Sequence, residues 1–194
     1  SADARIAGLA AHDLEFLLTD TVAVPLVVLS PTRDPVETIN SIMRRAGEAV
    51  HCTWIPAVRD LGDALAQINP ELLVCAQIDT YVFKAAAGIR DRIAAQVPLI
   101  YLAEQVTESS MLAGMQIGAR DVVSHNNQAR LQAVMARELR AFRLERALQS
   151  TVQSARDYRR QLETVLQRSA DAIAQVQEGI LVDANEAWLE LFGF

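Results

Sequence analysis

Few side chains in this sequence are equipped for chemistry, and they fall into three sets. The first is sulfur and imidazole: Cys52, Cys75, His12, His51 and His125. Zinc takes such ligands at short, repeated spacings, and here the histidines are scattered and the cysteines far apart. His51 and Cys52 do adjoin, but they lie in the apolar run Ala49 to Ile55, so two free thiols packed in a core are expected rather than a metal cage. The second set is carboxylates. Asp34 stands before Pro35 with Glu37 following, which reads as cap, first-turn proline and capping-box partner, and Asp79 sits at the start of another helix. The third set, Ser30, Thr32, Gln77 and His125, offers hydrogen bonds of the kind that seat a small polar ligand at the ends of strands.

Those groups need a scaffold, and the 194 residues suffice for one domain and an appendage. With 51% hydrophobic, 22% charged and 5% aromatic residues, the chain is aliphatic and foldable, which excludes disorder, collagen and disulfide scaffolds. A net charge of −6 argues against nucleic acid as the main partner, because that binding depends on neutralising phosphates. No apolar run approaches the roughly 20 residues of a membrane helix. The opening SADARIAGLAAHDLEF has acids where a signal peptide is basic, so a cytoplasmic location without membrane insertion is expected. Residues 1–21 read as an N-terminal amphipathic helix.

From Val22 onward, short continuous apolar runs alternate with helical periodicity. Strands are expected at Ala23–Leu29, Ala49–Ile55, Leu72–Ile78, Leu99–Leu102 and Asp121–Ser124. Between them come helices at Asp34 to about Gly47, Val58–Ile68, Tyr81–Ala95 and Glu108–Ile117. This rhythm predicts an α/β fold, a doubly wound five-stranded parallel sheet of flavodoxin-like order 2-1-3-4-5, covered on both faces. In that order Cys52 and Cys75 lie on strands separated by a third, which opposes an internal disulfide.

The framework resembles bacterial response-regulator receiver domains. Pro70-Glu71-Leu72-Leu73-Val74-Cys75, Val97-Pro98-Leu99-Ile100-Tyr101-Leu102 and Gly118-Ala119-Arg120-Asp121-Val122-Val123 look like the family's approaches to its third, fourth and fifth strands. The resemblance implies phosphoryl transfer to an aspartate, with magnesium held by that residue and an acid pair. Counted along the framework, Ser30 and Pro31 stand where the acid pair should be and Ala76 where the phosphoacceptor should be. Ala103 replaces a switch hydroxyl, His125 a phosphate-binding lysine, and Val122 a rotating aromatic. The resemblance therefore implies a degenerate receiver over 22–140, non-enzymatic and without cofactor or metal. Its surviving role is dimerisation, including through the face of the fourth helix, fifth strand and fifth helix. One alternative slides the third strand to make Asp79 the acceptor with Asp34 as a metal ligand; another is a small-ligand sensor.

After Asn127 neither proline nor glycine occurs until Gly179, so a helix of about 40 residues is expected. Leu131, Val134, Met135 and Leu139 would pack on the domain. Over 141–168 a heptad seam follows, with Ala141, Leu148, Ala155 and Leu162 at one position and Leu144, Thr151, Tyr158 and Val165 at the other, which reads as a weak parallel two-stranded coiled coil. Nine arginines against four acids over 127–168 read as a solvated exterior, with Glu145, Arg146, Asp157 and Arg160 in interstrand pairs, rather than as a nucleic-acid surface. Residues 169–194 look like the truncated start of a PAS domain, with a strand at Ala172–Gln177 and a helix opening at Asn185-Glu186-Ala187. Receiver, helix and PAS start in that order are similar to regulators of cyclic di-GMP signalling with receiver, PAS, GGDEF and EAL domains, including FimX-type motility proteins. That resemblance implies output domains beyond Phe194 and control of type IV pili or motility.

Overall fold

The computed structural model describes residues 22–177, the side chains of 171–177 aside. The N-terminal helix expected over 1–21, and the turn, second strand and helix of the PAS start, lie outside these residues. Five strands, β1 (Val24–Leu29), β2 (Val50–Ile55), β3 (Leu72–Ala76), β4 (Leu99–Ala103) and β5 (Asp121–Ser124), form one sheet of order β2-β1-β3-β4-β5 with every pairing parallel. The helices are α1 (Asp34–Arg45), α2 (Leu61–Ile68, after a short 3₁₀ turn at Val58–Asp60), α3 (Thr80–Ile93), α4 (Glu108–Ile117) and α5 (Gln128–Gln177). The order and class are those read from the periodicity.

The continuous apolar runs of β1 and β3 follow from burial on both faces. Leu26, Val28, Leu72, Val74 and Ala76 pack with α1 and the root of α5; Val27, Leu29, Leu73 and Cys75 pack with α2 and α3. β2 departs from that expectation. It is an edge strand, so His51 is exposed and Cys52 half-buried, and His51 is no core residue. The third strand is also shorter than read: Gln77, at φ 56°, adopts a left-handed conformation that breaks the ladder before Ile78. At α1 the cap residue is Arg33, without a side-chain cap bond. Asp34 lies inside the first turn and is no cap, leaving its carboxylate to act through its charge near the helix start. Asp79 does cap α3, accepting from the Val82 N–H at 2.8 Å.

Two contacts hold α4 and α3 close to the sheet. A Cβ at Gly114 would overlap the Val122 side chain, so α4 sits at a distance only glycine permits. Arg90, 7% exposed, donates to the carbonyls of Val97 and Gly118 at 2.9 and 3.0 Å and pairs with Asp91 at 2.7 Å, which satisfies its buried guanidinium.

The chain divides into two compact units at Arg143/Leu144. In the first, the root of α5 is seated by Leu131, Val134, Met135 and Leu139 and by a carboxylate buried at the start of β5. Asp121, 5% exposed, accepts from Arg130 at 2.8 Å, from Arg137 at 3.2 Å and from the Val122 N–H at 2.8 Å. Arg130 also donates to the Val122 carbonyl, and Arg137 to Glu138, whose hydrogen bond is the leading cause that raises the Arg137 pKa. Arg143 reaches Glu71, ahead of β3, at 3.0 Å. The second unit is the continuing helix. Helix α5, 50 residues long in all from Gln128, includes 172–177, so the strand expected at Ala172–Gln177 is helix instead. Two alanines and two glutamines among these six residues propagate an existing helix at little cost despite the β-branched Ile173 and Val176, and no proline or glycine intervenes to stop it.

Replacing Asp121 by alanine is expected to destabilise the fold by about 2 kcal/mol. That is below the 3–5 kcal/mol typical of a broken buried pair, because the two arginines left behind are partly exposed and rehydrate. Urea unfolding checks it, with Asp121→Asn, which keeps an oxygen for Val122, losing less.

Candidate functional site

Parallel pairing carries the ends of β1, β3, β4 and β5 to one edge, where a cavity of about 460 Å³ opens. Its lining includes Asp34, Thr38, Gln77, Tyr101, Glu104 and His125 above a floor that contains Ala76, Leu102 and Ala103. The six positions singled out from the framework divide here. Ala76, Ala103 and His125 line the cavity. Ser30 is fully buried beside it, its Oγ 3.4 Å from the Thr32 N–H and its carbonyl accepting from the Trp54 indole at 2.8 Å. Pro31 is exposed and outside the lining, and Val122 is buried behind α4.

Of the hydrogen-bonding quartet, Gln77 and His125 face the cavity, Thr32 donates to the Gln77 amide oxygen at 2.7 Å, and Ser30 is withdrawn. The His125 N–H donates to the Ala103 carbonyl at 3.0 Å, and its ring Nδ1 lies 3.3 Å from the same oxygen. Asp79 is absent from the lining and engaged as the α3 cap. Sequence reasoning missed Thr38, Tyr101, Leu102 and Glu104. For Tyr101 and Leu102 the available signal was their position in the last residues of β4. Tyr101 donates to the Ile78 carbonyl at 2.6 Å and stacks at a tilt on Phe83, with ring centroids 4.7 Å apart. Burial, then the nearby Cys75 and Asp79, raise its pKa.

Chemically, the floor is built from methyl and isobutyl groups and the rim carries two carboxylates, Asp34 and Glu104. Among the described residues no three His, Cys, Asp or Glu side chains gather as a metal ion would require. The thiols are equally quiet. Burial pushes the Cys52 thiol up to about 11 and Cys75 further still, so both remain protonated and weakly nucleophilic near neutrality. They sit on β2 and β3, with β1 between, and both are free. No described helix is long and apolar enough to cross a membrane.

The sign of the thiol shifts sets a pH dependence. Because the folded thiols hold their protons above the ordinary value of 9.0, the unfolded chain ionises first, and stability is full below pH 9 and falls as pH rises toward 11. Urea midpoints between pH 7 and 10.5 should show this decline, and Cys52→Ser should reduce it.

No family profile matches this sequence, and no curated protein does. Solved structures do. A signal receiver domain ascribed to a LuxO repressor from Vibrio parahaemolyticus superposes with a TM-score of 0.56 at 13% identity, covering 66% of this chain and 98% of that one. A response regulator from Chloroflexus aurantiacus gives 0.51 at 18% identity, with 60% and 98% covered. A protein described as pilus assembly-related from Burkholderia pseudomallei gives 0.51 at 16% identity, with 61% and 91% covered. The likeness is one of fold, and the fold is that of response-regulator receiver domains.

Proposed function

We propose that this chain is a signal-relay module of receiver type that works without an aspartyl phosphate, as a homodimer joined along its long helix. One observation carries the reading. The side chains at the ends of β1, β3 and β4 are a buried serine hydroxyl and two methyl groups, Ser30, Ala76 and Ala103, none of which can accept a phosphoryl group as a carboxylate does or anchor magnesium. Asp79, the alternative acceptor, already spends an oxygen on the α3 amide. The chain is thus read as non-enzymatic. A small-ligand sensor is the second reading, favoured by the open cavity.

The dimer reading rests on α5. Leu144, Leu148, Tyr158, Leu162 and Val165 are between 48 and 71% exposed, and with Ala141, Thr151 and Ala155 they recur at seam spacing. A second copy would cover them. Asp157 and Glu163 are engaged within the helix by Gln153 and Arg159, as on a solvated exterior, which supports a role without nucleic acid. The face of α4, β5 and α5 is a further candidate contact between copies. The resemblance to FimX-type regulators would place the module ahead of PAS, GGDEF and EAL domains in a cytoplasmic cyclic di-GMP regulator acting on type IV pili or motility. The fold shared with a protein described as pilus assembly-related is in keeping with that.

Incubation with acetyl phosphate and magnesium is expected to leave the intact mass unchanged; a phosphate adduct refutes the reading. Light scattering should find a dimer, and Leu148→Lys with Leu162→Lys should convert it to a monomer with an unchanged far-ultraviolet spectrum in the sheet region.

A further inference from the structure

We infer that the strand-end loops are locked in one arrangement by hydrogen bonds among the protein's own groups, which stand in for a bridge of metal and phosphoryl group; this rests on the reading of the module as phosphate-independent. The ties run in strand order around the cavity. The loop after β1 is joined to the loop after β3 by the Thr32 hydroxyl, which donates to Gln77 Oε1 at 2.7 Å. The loop after β3 is joined to β4 by the Tyr101 hydroxyl, which donates to the Ile78 carbonyl at 2.6 Å. β4 is joined to the loop after β5 by the backbone His125 N–H on the Ala103 carbonyl at 3.0 Å, and the loop after β4 is joined to β5 by the Ser124 hydroxyl on the Glu104 carbonyl at 3.1 Å.

The first tie joins two loops and the others each join a loop to a neighbouring strand, so that the loops after β1, β3, β4 and β5 are all attached. Gln77 is central. It holds a left-handed φ of 56°, unfavourable for a residue with a Cβ, and persists there with its amide fixed by Thr32 and the carbonyl next to its own, that of Ile78, fixed by Tyr101. Tyr101 is itself wedged against Phe83, and its raised pKa keeps the hydroxyl proton in place as donor. A two-state switch needs a second arrangement of comparable free energy. Here the part-buried Tyr101 bond lies over an aliphatic floor that provides the Ile78 carbonyl with no substitute partner, so an opening at that point first breaks a bond it does not replace within the protein.

Hydrogen exchange with mass readout on the whole chain tests the lock. Thr32→Val and Tyr101→Phe, alone and together, are compared with wild type over peptides spanning 30–34, 77–82 and 103–107. The double variant should exchange at least ten-fold faster at 77–82 while β1 and β3 keep their protection. Wild-type loops that already exchange as fast as the double variant overturn the lock. Gln77→Gly serves as a second variant, since it deletes the acceptor while suiting the left-handed backbone; it should remain folded and loosen 30–34, and unchanged exchange there overturns the inference. A phosphate adduct on wild type in the mass experiment would instead refute the functional reading, leaving the exchange data to judge the lock.

Discussion

Parallel pairing of five strands is the constraint from which the rest follows. In a sheet of order β2-β1-β3-β4-β5, crossovers return every strand in the same direction, so the ends of β1, β3, β4 and β5 meet at one edge. Burial on both faces makes β1 and β3 apolar along their whole length. Any polar chemistry must therefore come from the last strand residues and the loops just beyond. In this chain those positions hold Ser30, Ala76 and Ala103, and several of the polar groups that remain bond within the protein.

The same geometry decides where charge is tolerated. Asp121 is buried at the start of β5, yet two arginines and a backbone N–H satisfy it, and this anchors the root of α5. Arg90 is buried under α3 with two carbonyls and a carboxylate. These are charges with partners. The mouth has no comparable arrangement: Asp34 and Glu104 stand on its rim, and the floor offers them no cation. The buried, paired charges of the domain lie under α3 and at the seat of the long helix rather than at the strand ends.

Much of this was legible in the sequence, and the exceptions have physical causes. Continuous apolar runs, punctuated by Asn69-Pro70, Pro98 and Gly118, located the five strands, and their alternation with helices pointed to the order. His51 was misplaced because an apolar run does not reveal whether a strand is central or at an edge. Asp34 was misassigned because the motif of acid, proline and glutamate fits equally well one residue into the helix, where Arg33 is the cap. The strand at Ala172–Gln177 gave way to helix because local pattern yields to the momentum of a long uninterrupted helix. The positions of Ala76, Ala103 and His125 around the cavity followed from counting along the framework. The bonds of Thr32 and Tyr101 did not, because which side chains meet across two loops depends on a backbone turn at Gln77 that no spacing announces.

The central claim, a strand-end mouth unable to hold a metal, is tested most directly with manganese, a paramagnetic stand-in for magnesium that takes the same oxygen ligands. Amide resonances of the 15N-labelled protein are followed through a manganese titration. The account predicts no localised broadening of residues 30–34, 77–79 and 103–105 at concentrations that leave the rest of the spectrum sharp. Selective, saturable loss of those signals would contradict it.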